Sequence, residues 1–175
     1  MEVFKKWNID KSWTLFLDRD GVINHEKPNE YITSVEKFKF IDGALDAIAY
    51  FSKLFGRIVI VTNQQGIGKG LMTEEDFKEI TNFMLKEINQ ARGKIDQVYH
   101  SPYLSELKHE MQKPRTGMAI QAKQDFPEID FDKSVMIGNS DRDMAFGNTM
   151  GMKCIFVGDT NGLSDLCIDS LKELK

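Results

Sequence analysis

Leu15-Phe16-Leu17-Asp18-Arg19-Asp20-Gly21-Val22-Ile23-Asn24 is the stretch whose reading settles what kind of chain this is. Three apolar residues in succession, preceded by Trp13 and Thr14, predict a buried strand of a parallel sheet, because a half-exposed strand would alternate with polar residues. The strand then ends in acid. Asp18 and Asp20 point the same way while the backbone stays extended, into the crevice where open α/β sheets bind ligands. Two like charges held so close require a cation, and Gly21 lets the chain turn sharply or approach a ligand. Most aspartates beside a glycine are helix caps or loop charges, so the rest of the chain must separate an Asp-x-Asp-Gly metal and nucleophile site from an ordinary turn.

Working outward, 175 residues with 41% hydrophobic content fit one domain, 1–175, with a real core. The formal net charge of −4 excludes a global basic field, so no nucleic-acid partner is expected and an anionic substrate needs local positive charge. Cys154 and Cys167 are far from C-x-x-C spacing, and no signal peptide or membrane span of about 20 apolar residues is seen. The expectation is a reduced, cytoplasmic, monomeric protein with no membrane partner.

Residues 1 to 12, with Lys5, Lys6, Asp10 and Lys11 around Phe4 and Trp7, read as a leader packed onto the domain. After the acidic turn, His25, Glu26, Lys27, Pro28, Asn29 and Glu30 make a polar loop over the strand tips, placed for substrate contacts, with His25 itself a solvated loop residue. A helix from Asp42 or Gly43 to Gly56 carries the apolar stripe Leu45, Ile48, Ala49, Phe51, Ser52 and Phe55. Ile58-Val59-Ile60-Val61 is a second buried strand. It runs into Thr62-Asn63-Gln64-Gln65-Gly66-Ile67-Gly68-Lys69-Gly70, a segment rich in donors and poor in bulk, where Thr62 and Asn63 can bond anionic oxygens. The Walker spacing is absent.

Thr73-Glu74-Glu75-Asp76 starts a long helix through about Ala91, with Phe77, Ile80, Met84, Leu85 and Ile88 on its core face. Residues 96–100 form a short third strand, and a polar loop from Ser101 to Gln112 follows. His100 and His109 have no cysteine nearby and make a poor structural zinc site, so no zinc is expected. Lys113 opens a Pro-Arg-Thr-Gly turn, and the helix after it carries Ile120, Ala122 and Phe126. Residues 134–138 form a fourth buried strand, its tip carrying Asn139-Ser140-Asp141-Arg142-Asp143, and 153–158 a fifth; Ser164 to Leu174 is expected to close the chain as a helix. Strands alternating with helices give a three-layer, Rossmann-like, doubly wound parallel sheet with helices on both faces. The tips then supply paired carboxylates, a hydroxyl-amide pair, an acidic turn and a cation.

In that order these elements resemble the motifs of the haloacid dehalogenase-like phosphatases: Asp18-x-Asp20-Gly21, Thr62-Asn63, Lys113 and Gly138-Asn139-x-x-x-Asp143. The matched region runs from about Leu15 to Gly158. Leu17 to Asn24, Thr62 to Ile67, Thr73 to Phe77 and Lys113-Pro114-x-x-Gly117-Met118 look most like the subgroup that contains D-glycero-D-manno-heptose 1,7-bisphosphate phosphatase and histidinol-phosphate phosphatase, with minimal or no cap domain. The resemblance implies that Asp18 attacks phosphorus and forms an aspartyl-phosphate, and that Asp20 protonates the leaving alkoxide and then activates water. It implies Mg²⁺ held by Asp18, the backbone carbonyl of Asp20 and Asn139, and phosphate bound by Thr62, Asn63, Gln64, Lys113, Asp20 and Gly21.

This sequence departs from the family pattern at three places. Asn139 stands where the fourth motif usually has aspartate, with Asp141 and Asp143 in support; the loop from Ser101 to Gln112 lacks the cysteines of a zinc loop; and Gln112 stands where arginine often precedes the lysine. The expected activity is a Mg²⁺-dependent phosphatase of carbohydrate metabolism, acting on a small phosphate ester such as a sugar phosphate. The alternatives are a histidinol-phosphate phosphatase, a nucleic-acid 3′-phosphatase, which the acidic charge disfavours, and a catalytically weakened phosphate-binding protein.

Overall fold

The structure is a computed structural model that describes residues 2–26 and 30–175. Six parallel strands form one sheet: β1 (Thr14–Leu17), β2 (Arg57–Asn63), β3 (Gln97–Ser101), β4 (Ser134–Gly138), β5 (Lys153–Val157) and β6 (Leu166–Ile168), in the order β3-β2-β1-β4-β5-β6. The chain steps outward from β1 through β2 to β3, then crosses back to β4. The switch of direction therefore lies between β1 and β4, where doubly wound sheets place their ligand crevice. Leu17 is in register with Ile60 of β2 and Ile137 of β4, which brings the three polar tips to one edge.

Alternation along the strands divides the core between two faces. Leu15, Leu17, Ile58, Ile60, Val135 and Ile137 pack on one side, under α2 (Ala44–Leu54) and α4 (Glu74–Gln90). Phe16, Val59, Val61, Met136 and Cys154 pack on the other, under α5 (Gly117–Asp125) and α6 (Asp141–Thr149). At about 1.5–3 kcal/mol for each fully buried large apolar side chain, these layers dominate the stabilising side of folding. The residues before β1 include a short helix, Glu2–Lys6, whose Phe4 meets Phe51 and Phe55 edge-on at 5.8 and 5.5 Å. Among the described residues no helix is long and apolar enough to cross a membrane.

Two sequence expectations need correction. Residues 164–174 are not one helix: Leu166–Ile168 pairs parallel with β5, and only Leu171–Leu174 turns, as a 3-10 helix. The open edge of β5 decides this, since Asp165 Oδ2 accepts from Cys154 N at 2.8 Å and Asp165 N donates to Cys154 O at 2.8 Å. In α5 the buried face is Met118, Ala119 and Ala122, whereas Ile120 is 49% exposed.

Candidate active site

β1 ends where Asp18 N donates to Ile137 O at 2.9 Å, so the first carboxylate leaves the sheet between the tips of β1 and β4. Lys113 comes to it from the segment before α5. Its buried ammonium lies 3.0 Å from Asp18 Oδ1, 2.5 Å from Asp143 Oδ1 and 2.7 Å from Val61 O. Burial alone would lower the lysine's pKa, but Asp143 and Asp18 outweigh it and the pKa is raised, so Lys113 stays charged. Burial pushes Asp18 up to about 7, with the charge of Asp143 adding to it and Lys113 opposing. Asn63 lines the crevice and also holds this lysine: its Nδ2 donates to Lys113 O at 3.1 Å and its Oδ1 accepts from Lys113 N at 3.0 Å.

Asp20 is held from below by Arg19, a residue the strand-tip reading passed over. The Arg19 side chain turns into the core face that holds Phe38 and Phe77 and is 1% exposed, its guanidinium 5.9 Å from the Phe38 ring centre and 5.7 Å from that of Phe77. It reaches both oxygens of Asp20 at 2.9 Å and Gln64 Oε1 at 3.2 Å. Gln64 Nε2 donates to Asp20 Oδ2 at 2.7 Å and to Thr62 Oγ1 at 2.9 Å, while Asn24 Nδ2 donates to Asp20 Oδ1 at 2.9 Å. Burial raises the Asp20 pKa, yet the charge of Arg19 and the bonds from Asn24, Arg19 and Gln64 overcome it, and the net direction is down.

Asp18, Asp20, Thr62, Asn63, Gln64, Lys113 and Asp143 line a cavity of about 480 Å³ that also takes in Asn139 and Ser140, between β4 and α6, and Arg142 of α6. Ser140 caps α6 in a reciprocal box with Asp143, Ser140 N reaching Asp143 Oδ2 at 3.0 Å. Asp143 is thereby turned inward, and a Cβ on Gly138 would collide with its side chain. Asp141 is not a cavity residue, contrary to its expected supporting role: as the first residue of α6 it is exposed and accepts from Asn161 Nδ2 at 2.6 Å. Gly21, at φ 78°, is not among the residues that line the cavity.

The loop after β1 supplies Glu26, Glu30, Tyr31 and Ile32 to the cavity; Lys27, Pro28 and Asn29 of that loop lie outside the described residues. The loop from Ser101 to Gln112 supplies none of the lining. Gln112 is buried, accepting from Ser101 Oγ at 2.9 Å. His100 pairs with Glu74 at 2.9 Å and stacks on Phe77, and His109 stacks on Tyr103.

One ammonium shared by two carboxylates leaves excess negative charge on the cavity floor, and the charge of Asp143 adds to burial in raising the Asp18 pKa. A bound cation would relieve that. No group of three or more His, Cys, Asp or Glu gathers for a metal among the described residues, so the available set is mixed: the Asp18 carboxylate, the backbone carbonyl of Asp20 and the Asn139 amide. All three offer oxygen, which fits a hard cation such as Mg²⁺.

Comparison with known proteins agrees with this geometry. Residues 14–169 match the family model described as polynucleotide kinase 3 phosphatase. The chain is 41% identical over 137 residues to D-glycero-alpha-D-manno-heptose-1,7-bisphosphate 7-phosphatase of Campylobacter jejuni, covering 78% of this chain and 77% of the relative. It is 32% identical over 174 residues to D-glycero-beta-D-manno-heptose-1,7-bisphosphate 7-phosphatase of Haemophilus influenzae, covering 91% and 93%. The fold superposes with TM-score 0.84 and 22% identity on D,D-heptose 1,7-bisphosphate phosphatase from B. bronchiseptica, solved with magnesium and phosphate, over 93% of this chain and 95% of that one. The chain belongs to the haloacid dehalogenase-like phosphatases, among the relatives of the heptose-1,7-bisphosphate 7-phosphatases.

Proposed function

We propose that this protein is a Mg²⁺-dependent phosphatase that removes the 7-phosphate of D-glycero-D-manno-heptose 1,7-bisphosphate through an aspartyl-phosphate on Asp18. The observation that carries the reading is the buried Lys113, fixed 3.0 Å from Asp18 on the floor of a cavity large enough for a phosphorylated sugar. The names of the curated relatives support the choice of sugar.

The Asp18 carboxylate attacks phosphorus while the ester P–O bond breaks. The departing alkoxide takes the proton of Asp20, and a water that returns a proton to Asp20 then hydrolyses the acyl phosphate and regenerates Asp18. Arg19, Asn24 and Gln64 stabilise the ionised form of Asp20, so the carboxylate stands unprotonated when the second step needs a base and holds its proton weakly when the first needs an acid. Lys113 sets its charge beside the reacting oxygens, and Asn63 holds the lysine in place. The Thr62 hydroxyl, accepting from Gln64, keeps its own proton for a phosphate oxygen. Asp18, the carbonyl of Asp20 and Asn139 would hold Mg²⁺, which when bound supplies positive charge against the repulsion between carboxylate and phosphate dianion.

Of the described cavity-lining residues only Lys113 and Arg142 are cationic side chains. Lys113 is committed to Asp18 and Asp143, which leaves Arg142, exposed at the start of α6, for a second phosphate. A polynucleotide 3′-phosphate is the reading that the family description favours, but Glu26 and Glu30 at the cavity put acid where a nucleic-acid backbone would pass.

The test is phosphate release from both anomers of the heptose bisphosphate, histidinol phosphate and a 3′-phosphorylated oligonucleotide, with Mg²⁺ or chelator. The expected result is turnover of a heptose bisphosphate only with Mg²⁺, and none by Asp18→Asn. Preferential turnover of the oligonucleotide or of histidinol phosphate overturns the substrate; turnover by Asp18→Asn overturns the nucleophile.

A further inference from the structure

Asn139 and Glu26 meet over the Asp20–Gly21 turn. Asn139 Nδ2 donates to Glu26 Oε1 at 2.6 Å, joining the tip of β4 to the loop after β1. A Cβ on Gly21 would collide with that amide and stand 2.7 Å from Glu26 Oε1, so both side chains occupy the space that the glycine leaves open, beside the backbone of Asp20. Both also line the cavity that contains Asp18.

The chemistry of the contact fixes the orientation of the amide. A carboxylate offers only acceptors, so Asn139 must turn its nitrogen to Glu26, leaving Oδ1 as its remaining acceptor. The other acids near the tip of β4 are already committed. Asp141 accepts from Asn161 outside the cavity, and Asp143 places Oδ1 on Lys113 and Oδ2 on Ser140 N at 3.0 Å and Ser140 Oγ at 2.6 Å. Glu26 is the carboxylate that touches Asn139.

We propose that Asn139 and Glu26 act together in place of a single carboxylate at the cation site, Asn139 Oδ1 facing the cation and Glu26 holding the amide in that orientation while supplying the negative charge. This rests on the Mg²⁺-phosphatase reading. Glu26 is a positioning residue here, and a partner of this kind is worth about 10–100-fold in metal affinity. Because the charge sits on one residue and the ligand oxygen on the other, neither can be judged alone.

The experiment is calorimetric titration of the full chain with Mg²⁺ for wild type, Glu26→Gln, Glu26→Ala and the double variant Glu26→Gln/Asn139→Asp. Glu26→Gln keeps an acceptor for the amide but loses the charge, and is expected to weaken Mg²⁺ about 10–100-fold; Glu26→Ala, losing both, should weaken it further. The double variant carries its charge at position 139 and should return to within a few-fold of wild type. All variants should melt close to wild type without metal, since Glu26 is exposed. An unchanged Mg²⁺ affinity in Glu26→Gln, or a double variant as weak as Glu26→Gln, overturns the pair while the phosphatase reading stands. A wild type that neither binds Mg²⁺ nor releases phosphate ends both.

Discussion

Asn63 grips the backbone of Lys113 at both ends, donating to its carbonyl at 3.1 Å and accepting from its amide at 3.0 Å. The asparagine thus sets where the ammonium emerges, although the two residues are 50 positions apart. Asn63→Ala removes two hydrogen bonds and is expected to lower the unfolding free energy by about 1–3 kcal/mol in a urea titration. Phosphate release should fall by about 10²-fold as the lysine loses its position. Full activity in this variant would detach Asn63 from the placement of Lys113.

Asp18 gives stability an unusual dependence on pH. Burial and the charge of Asp143 push its pKa up to about 7, whereas an unfolded aspartate titrates near about 3.9. Between those values the folded chain holds a proton that the unfolded chain has released. The stabilisation is therefore complete below about pH 4 and is lost as pH rises through about 7. Asp20, shifted downward, changes only on the acid side of this window. Without metal the Tm should fall from pH 5 to pH 8, and Asp18→Asn should flatten the fall and melt higher than wild type at pH 8. Saturating Mg²⁺ should flatten it as well, because the cation favours the ionised carboxylate. A difference curve between wild type and Asp18→Asn with no slope would overturn the assignment.

Arg19 is an interior charge with one carboxylate to answer it, and Asp20 keeps 22% side-chain exposure. Arg19→Met fits the space between Phe38 and Phe77 but leaves that carboxylate without its partner, a loss of about 3–5 kcal/mol in chemical unfolding. Arg19→Lys retains the charge without the planar fork and should fall between the two. A Met variant as stable as wild type would show that the buried ion pair contributes nothing net.

Arg142 lines the cavity, and its proposed contact with a second phosphate predicts a difference between bisphosphate and monophosphate substrates. Arg142→Gln should raise KM for the bisphosphate about tenfold or more while leaving turnover of a generic monophosphate ester within about twofold, consistent with losing one charge-assisted contact of about 1.5–3 kcal/mol. Equal losses on both substrates would instead tie Arg142 to the reacting phosphate or to the start of α6.

Much of this architecture could be read from residue order because the interior strands are short, uninterrupted apolar runs with nowhere else to go. Ile58 to Val61 and Ser134 to Gly138 allow no half-exposed alternative. β6 was not legible: three residues are too few to show a period, and the unpaired edge of β5 makes the decision from outside the segment. The site divides in the same way. Asp18, Asp20, Thr62, Gln64, Lys113, Asn139 and Asp143 converge on one cavity, because each follows or precedes a recognisable strand or turn. What Asn63 grips, where Arg19 goes and which acid meets Asn139 depend on contacts between segments far apart in the chain. For Arg19 no signal was present, since a charged residue at a strand tip is as often solvated as buried and the rings that receive it, Phe38 and Phe77, come from distant segments.

Asp143 closes the α6 capping box, anchors Lys113 and presses against Gly138. Its replacement would disturb a helix start, the anchor of the buried lysine and a backbone approach at once, so a single compensating change would have to mend three contacts. The freedom to diversify is thereby displaced to the rim, where Glu26, Tyr31 and Arg142 can change one at a time while the floor stays fixed. A lineage with this floor can acquire new substrates stepwise through its rim, but it can abandon the aspartate-lysine chemistry only by several changes together.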